Sequence, residues 1–81
     1  MSYRIVIDSP ARKFIVRQTK RQQERILKAI AKLPFQGDLK PLQGHPGIFR
    51  LRVGGYRVIY TVRNDLLMVL VLTAGNRGDV Y

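Results

Sequence analysis

This chain predicts a two-layer α+β fold: an N-terminal strand, a helical hairpin, then a run of strands. Three observations carry that expectation. Tyr3, Ile5 and Ile7 alternate with Arg4, Val6 and Asp8, the period of a strand. Apolar residues then recur at helical spacing in two segments before Pro34. Further on, two alternating runs flank Gly54-Gly55, the signal of a tight hairpin.

The first strand is expected over residues 3–8. Ser9 and Pro10 read as the N-cap and first residue of a helix, and Ala11, Phe14, Ile15 and Gln18 follow one face of it to about residue 18. Thr19-Lys20-Arg21-Gln22 reads as a capping box, the Thr19 hydroxyl and Gln22 amide satisfying free backbone N–H groups. Ile26, Leu27, Ile30 and Leu33 supply the buried stripe of the second helix, which Pro34 stops. Residues 35–47 form a connection with one short edge strand at 39–42, and His45 between Gly44 and Pro46 reads as an exposed loop residue rather than a proton shuttle. Residues 66–73 (LLMVLVLT) are apolar at both parities, as a central strand covered on both sides would be, after a turn at Asn64-Asp65.

Composition narrows the function. The chain has 81 residues, 15 Lys and Arg against 5 Asp and Glu, a formal net charge of +10, and 46% hydrophobic residues. That makes one folded domain over residues 1–81, not a disordered basic tail. A domain this small removes only about 60 to 65% of its unfolded surface from water, so like charges that weaken it further call for an explanation. The absence of cysteine excludes disulfides, thiolate chemistry and Cys-ligated zinc. A single histidine leaves a histidine metal cluster or a Ser/His/Asp system without material, so no metal and no cofactor is expected. MSYRIVIDSP lacks a signal-peptide pattern, and the longest apolar stretch, residues 66–72, falls far short of the roughly 20 residues of a spanning helix. The excess charge suits nucleic acid, an anionic membrane surface or an acidic protein; the expectation is a cytoplasmic protein with no membrane partner.

The hairpin sharpens this. With Gly54-Gly55 as the loop, Val53 faces Tyr56, Arg52 faces Arg57, Leu51 faces Val58, Arg50 faces Ile59 and Phe49 faces Tyr60. One side then reads Phe49, Leu51, Val53, Tyr56, Val58, Tyr60, a core surface that two helices can cover; the other gathers Arg50, Arg52 and Arg57. Arg52 opposite Arg57 weakens a sheet unless something anionic sits there. Arginine keeps its charge at any working pH and grips a phosphate with two parallel N–H groups, which makes a phosphodiester the expected guest. The plainer alternative is three long side chains splayed into water. Carboxylates of the chain itself plugging the pocket would remove the need for a guest.

Arg12, Lys13, Arg17, Lys20, Arg21, Arg25, Lys28 and Lys32 stand on the helical segments against one acid, Glu24. They form either a solvated face that keeps the domain soluble or a surface that meets phosphates, releasing counterions as it does so. Arg77 and Tyr81 follow the last strand and come near the arginine cluster if the sheet is antiparallel; packing of the C-terminus is the alternative role for Tyr81.

FRLRVGGYRVIY at 49–60, LKPLQG at 39–44 and GNRGDVY at 75–81 resemble the RelE/ParE superfamily of toxins from bacterial and archaeal toxin–antitoxin pairs, closer to the RelE type. The resemblance covers the whole chain. It implies a RelE-like fold, a two-helix hairpin on a mostly antiparallel sheet whose first strand lies beside the last. The fold does not settle function: RelE-type members cut messenger RNA in the ribosomal decoding site, and ParE-type members poison DNA gyrase. The RelE-type site uses two basic residues on the first hairpin strand, an arginine after the turn, an arginine after the last strand and a nearby tyrosine. Those roles fall here to Arg50 and Arg52, Arg57, Arg77 and Tyr81. The sequence departs from the best-known RelE enzymes in having Arg50 and Arg52 where they have lysines, and Asn76 where many relatives carry a histidine. Many relatives also continue past the position of Tyr81 into a short helix that an antitoxin displaces.

The implied chemistry needs no metal: a ribose 2′-OH attacks its adjacent phosphate, giving a 2′,3′-cyclic phosphate and a free 5′-OH. Arg52 and Arg57 would clamp the scissile phosphate, Arg50 a neighbouring one, and Arg77 would serve the departing 5′-oxygen. Tyr81 would stack on a base, or accept the proton if the arginines lower its pKa from about 10. Arginine is a poor proton acceptor, so the free protein is expected to be a feeble nuclease that depends on the ribosome to align the message. The implied partners are mRNA, the ribosome and a small acidic antitoxin. A gyrase poison and a catalytically silent RNA- or antitoxin-binding module are the alternatives.

Overall fold

Gly54 takes a φ of +57°, in the left-handed region that favours glycine, and thereby reverses the chain in two residues. The pairs Arg52↔Arg57, Leu51↔Val58 and Phe49↔Tyr60 follow in the register that the sequence predicts. The computed structural model describes residues 2–76. In chain order it contains β1 (Arg4–Ile7), α1 (Ser9–Val16), α2 (Lys20–Ile30), β2 (Asp38–Pro41), β3 (Ile48–Val53), β4 (Tyr56–Arg63) and β5 (Met68–Asn76). The strands form one sheet of order β1-β5-β4-β3-β2, antiparallel except where β1 runs parallel to β5.

Helix α1 starts one residue earlier than predicted. Asp8, not Ser9, is the N-cap: its carboxylate accepts from the Ser9 N–H at 2.8 Å and its carbonyl from the Arg12 N–H at 3.0 Å. Either residue type caps well, but an anion at the positive end of the helix dipole gains more. At the other end, the Gln18 side chain donates to the Phe14 carbonyl and the Gln23 side chain to the Gln18 carbonyl, at 3.1 and 2.9 Å. The Phe14 carbonyl also accepts from the Arg17 N–H at 3.2 Å, so the side-chain bonds add to the backbone cap and tie the α1–α2 turn.

Thr19 caps α2 as expected, its hydroxyl accepting from the Gln22 N–H at 3.3 Å. The reciprocal half of the box is missing: Gln22 Oε1 is buried without a hydrogen-bond partner among the described residues. The buried stripe is Ile26, Ile30 and Leu33, at most 3% exposed, whereas Leu27 lies on the flank at 41%. Regular helix ends at Ile30, and i to i+3 bonds such as Leu33 N–H to the Ile30 carbonyl carry the chain on towards Pro34.

The last strand departs from expectation at its start. Leu66 and Leu67 belong to the turn after β4, tied by the Arg63–Asp65 ion pair, and are exposed. β5 is interior but second in the sheet, with β4 central. Helices cover one face only, so Val69 and Val71 are fully buried while Met68, Leu70 and Leu72 are half-buried on the open face. The helix-covered face carries the core: Leu51, Val53, Val58, Tyr60, Val69, Val71 and Ala74 against Ala11, Ile15, Ile26, Ile30 and Leu33. Each large aliphatic buried there contributes roughly 1.5 to 3 kcal/mol. Among the described residues no helix is long and apolar enough to cross a membrane.

Candidate nucleic-acid interface

Strand alternation turns Arg50 and Arg52 of β3 and Arg57 of β4 away from the helices, onto the open face. Arg52 and Arg57 are direct cross-strand partners; Arg50 lies one row along, opposite Ile59. The row continues onto the edge strand, where Asp38 pairs with Arg52 and Lys40 with Arg50. Lys40, Pro41, Leu42 and Gln43 rise beside the arginines and close a pocket of about 280 Å³ lined by them with Arg50, Arg52 and Arg57.

The three guanidiniums differ in setting. Arg50 is buried, its side chain 7% exposed, with Nη2 at 3.4 Å from Asp38 Oδ1; the Arg52 side chain is 35% exposed, with Nε at 4.0 Å from Asp38 Oδ2. Among the described residues, the Asp38 carboxylate thus offsets part of the charge that the hairpin register gathers. It does not plug the pocket: Asp38 is itself 56% exposed and stands outside the lining, which sets four cations and Gln43 beside the apolar Pro41 and Leu42. Arg57 is half-buried. The arrangement offers guanidinium N–H donors around a concavity with room for a phosphate, with Lys40 as a further cation.

Arg12, Lys13, Arg17, Lys20, Arg21, Arg25, Lys28 and Lys32 are all exposed, on the helical layer and therefore on the far side of the sheet from the pocket. Arg25 is the exception in reach. Its guanidinium lies against the hairpin turn, so that a Cβ on Gly54 would stand 2.6 Å from Arg25 Nη2. His45 is exposed in the β2–β3 connection, as expected. Arg77 and Tyr81 lie outside the described residues. Asp38, Lys40 and Gln43 are not among the site residues that the sequence singles out; the alternation of Asp38 and Lys40 on an edge strand carries the signal, once that strand is known to begin at 38.

Among the described residues, two titrating groups are shifted, both away from the pocket. Burial raises the Tyr60 phenol, which stacks on Phe49 on the helix-covered face. The Arg63 hydrogen bond lowers the Asp65 carboxyl at the opposite end of β4.

The family profile described as ParE toxin of type II toxin–antitoxin system, parDE, matches residues 10–81. No curated protein sequence matches the chain. Among solved structures, the chain is similar to the archaeal RelE–RelB complex from Pyrococcus horikoshii OT3, with 27% identity and a TM-score of 0.81 over 99% of this chain and 100% of that one. It is similar to the toxin–antitoxin complex RelBE2 from Mycobacterium tuberculosis at 22% identity and a TM-score of 0.80, over 95% and 100% of the two chains. Isolated Escherichia coli RelE matches at 23% identity and a TM-score of 0.77, over 94% and 85%. At these last two identities the likeness shows the fold alone.

Proposed function

The chain belongs to the ParE toxin family of type II toxin–antitoxin systems, within the RelE/ParE superfamily and with RelE toxins as its structural neighbours, and from that premise we propose that it is a ribosome-dependent endoribonuclease that cuts messenger RNA. The observation that carries this reading is the pocket in which Arg50, Arg52 and Arg57 converge beside Lys40. RNA brings its own nucleophile, so a site made of cations needs only to hold the phosphate and stabilise the charge that develops as the 2′-oxygen attacks. A well-placed donor of this kind contributes about 3 to 4 kcal/mol to the transition state. Arg52 and Arg57 are assigned to the scissile phosphate, Arg50 to its neighbour, and Arg77 and Tyr81 to the leaving oxygen and the attacking hydroxyl or its base. The helical cations are assigned to the ribosome, whose RNA would bend the message into line.

A small acidic antitoxin is the proposed protein partner. The P. horikoshii relative is a complex of RelE with RelB, and a chain of net charge +10 favours an anionic segment that masks the arginines. The proposed site of action is the cytoplasm, with no metal and no cofactor.

The matched profile is that of ParE toxins, which keeps a second reading in play: poisoning of DNA gyrase. One pair of assays separates them. In a translating extract with defined messages, the endoribonuclease cuts within the decoding-site codon, and Arg57→Ala and Tyr81→Phe cut less. A gyrase poison leaves messages intact and accumulates double-strand DNA breaks when gyrase is present. RNA affinity that falls steeply with salt, with neither kind of damage, would mark a silent binding module.

A further inference from the structure

Asp38 is the one carboxylate among the described residues that ion-pairs with the arginine cluster. It sits on the four-residue edge strand, directly across from Arg52, and bridges two cations: Oδ1 to Arg50 Nη2 at 3.4 Å and Oδ2 to Arg52 Nε at 4.0 Å. Both distances exceed the roughly 2.7 to 2.9 Å of a tight charge-assisted bond, so Asp38 restrains Arg50 through a long hydrogen bond and Arg52 through charge at close range. Arg50 is buried and would otherwise hold its charge in the sheet without the carboxylate shown beside it. For Arg52, the carboxylate lies on the Nε side, and Nε has no hydrogen-bond partner among the described residues. Arg52 itself lines the pocket.

We propose that Asp38 is a positioning residue, which holds the Arg50 and Arg52 guanidiniums side by side at the floor of the pocket so that they meet RNA phosphate already aligned. This rests on the endoribonuclease reading given above. Charge and position pull in opposite directions here. Deleting the carboxylate makes a basic protein more basic, and electrostatics alone then tightens RNA binding without changing turnover. Losing alignment lowers turnover without weakening binding.

The test compares wild type, Asp38→Asn and Asp38→Glu in the programmed-ribosome cleavage assay, with Asp65→Asn in the exposed β4–β5 turn as a control that removes the same charge elsewhere. Asp38→Asn is expected to keep or lower KM and to lower kcat on the order of 10- to 100-fold; Asp38→Glu restores part of kcat, and Asp65→Asn leaves it unchanged. A second readout is independent of activity: the guanidinium Nη–Hη NMR signals of Arg50 and Arg52 in the free proteins, which are resolved only where rotation of the guanidinium is restrained. In Asp38→Asn they are expected to broaden towards those of solvent-exposed arginines such as Arg12, and in Asp38→Glu to stay resolved. Unchanged arginine signals in Asp38→Asn, or a kcat equal to wild type, overturns the proposal. A wild type that cuts no message overturns the endoribonuclease reading instead, and the NMR comparison still decides the role of Asp38.

Discussion

Arg50 and Arg52 are two residues apart on one strand, yet one is buried against a carboxylate and the other keeps a third of its side chain in water. Their substitutions should therefore separate. Arg52→Gln removes one of two directly opposed cations, so its stability is expected to stay within about 1 kcal/mol of wild type or to rise, while the slope of log RNA affinity against log salt falls by about 0.7 for each phosphate that the variant no longer neutralises. A Tm drop of many degrees, with the salt slope unchanged, would refute that assignment. Tyr60 gives a residue-scale prediction of another kind. Its phenol is raised above the usual value of 10.0 because burial disfavours the phenolate. Between that value and the higher folded one, the unfolded chain has released a proton that the folded chain keeps, so stability is intact below pH 10 and falls as pH rises above it. Tyr60→Phe is expected to flatten this alkaline decline in urea midpoints measured across pH; parallel declines would contradict it.

Among the elements, the diglycine hairpin was legible to the residue because a two-residue turn and strict alternation leave one register. Helix existence was equally plain. What could not be read was decided by backbone geometry: which of two adjacent capping residues takes the extended conformation, and whether Leu66 and Leu67 extend a strand or a turn. The same limit hid the pocket wall, since Asp38 falls one residue outside the predicted edge strand. Two substitutions test the elements. Thr19→Ala is expected to cost about 1 kcal/mol through loss of the α2 cap. Gly54→Ala forces a side chain into φ +57° and against the Arg25 guanidinium, so it should cost about 1 kcal/mol or more and displace Arg25 from the turn. Chemical denaturation measures both, and a Gly54→Ala protein as stable as wild type would show that the turn relaxes at no cost.

At the scale of the molecule, one sheet face is spent on the core, and the other carries the arginine cluster beside the half-buried Met68, Leu70 and Leu72. The helical layer buries the apolar face, and its own outer surface is cationic. The pocket arginines and the helical cations therefore occupy opposite sides of a thin domain, an arrangement suited to a protein gripped on one side and reaching a phosphate with the other. With the proposed ribosome partner, charge of this size predicts binding that weakens steeply between 50 and 200 mM salt, by roughly 10³-fold or more if six phosphates are neutralised. Sedimentation with ribosomes across that range measures it, and salt-insensitive binding would point to an apolar interface.

The central claim is that the arginine pocket receives the scissile phosphate of a message. Its most direct measurement is the rate and end chemistry of cleavage on programmed ribosomes by wild type and Arg57→Ala. The account predicts cuts in the decoding-site codon that leave 2′,3′-cyclic phosphate and 5′-hydroxyl ends, slowed by about 10²- to 10³-fold in Arg57→Ala. Equal rates for the two proteins, or messages that stay whole with both, would contradict it.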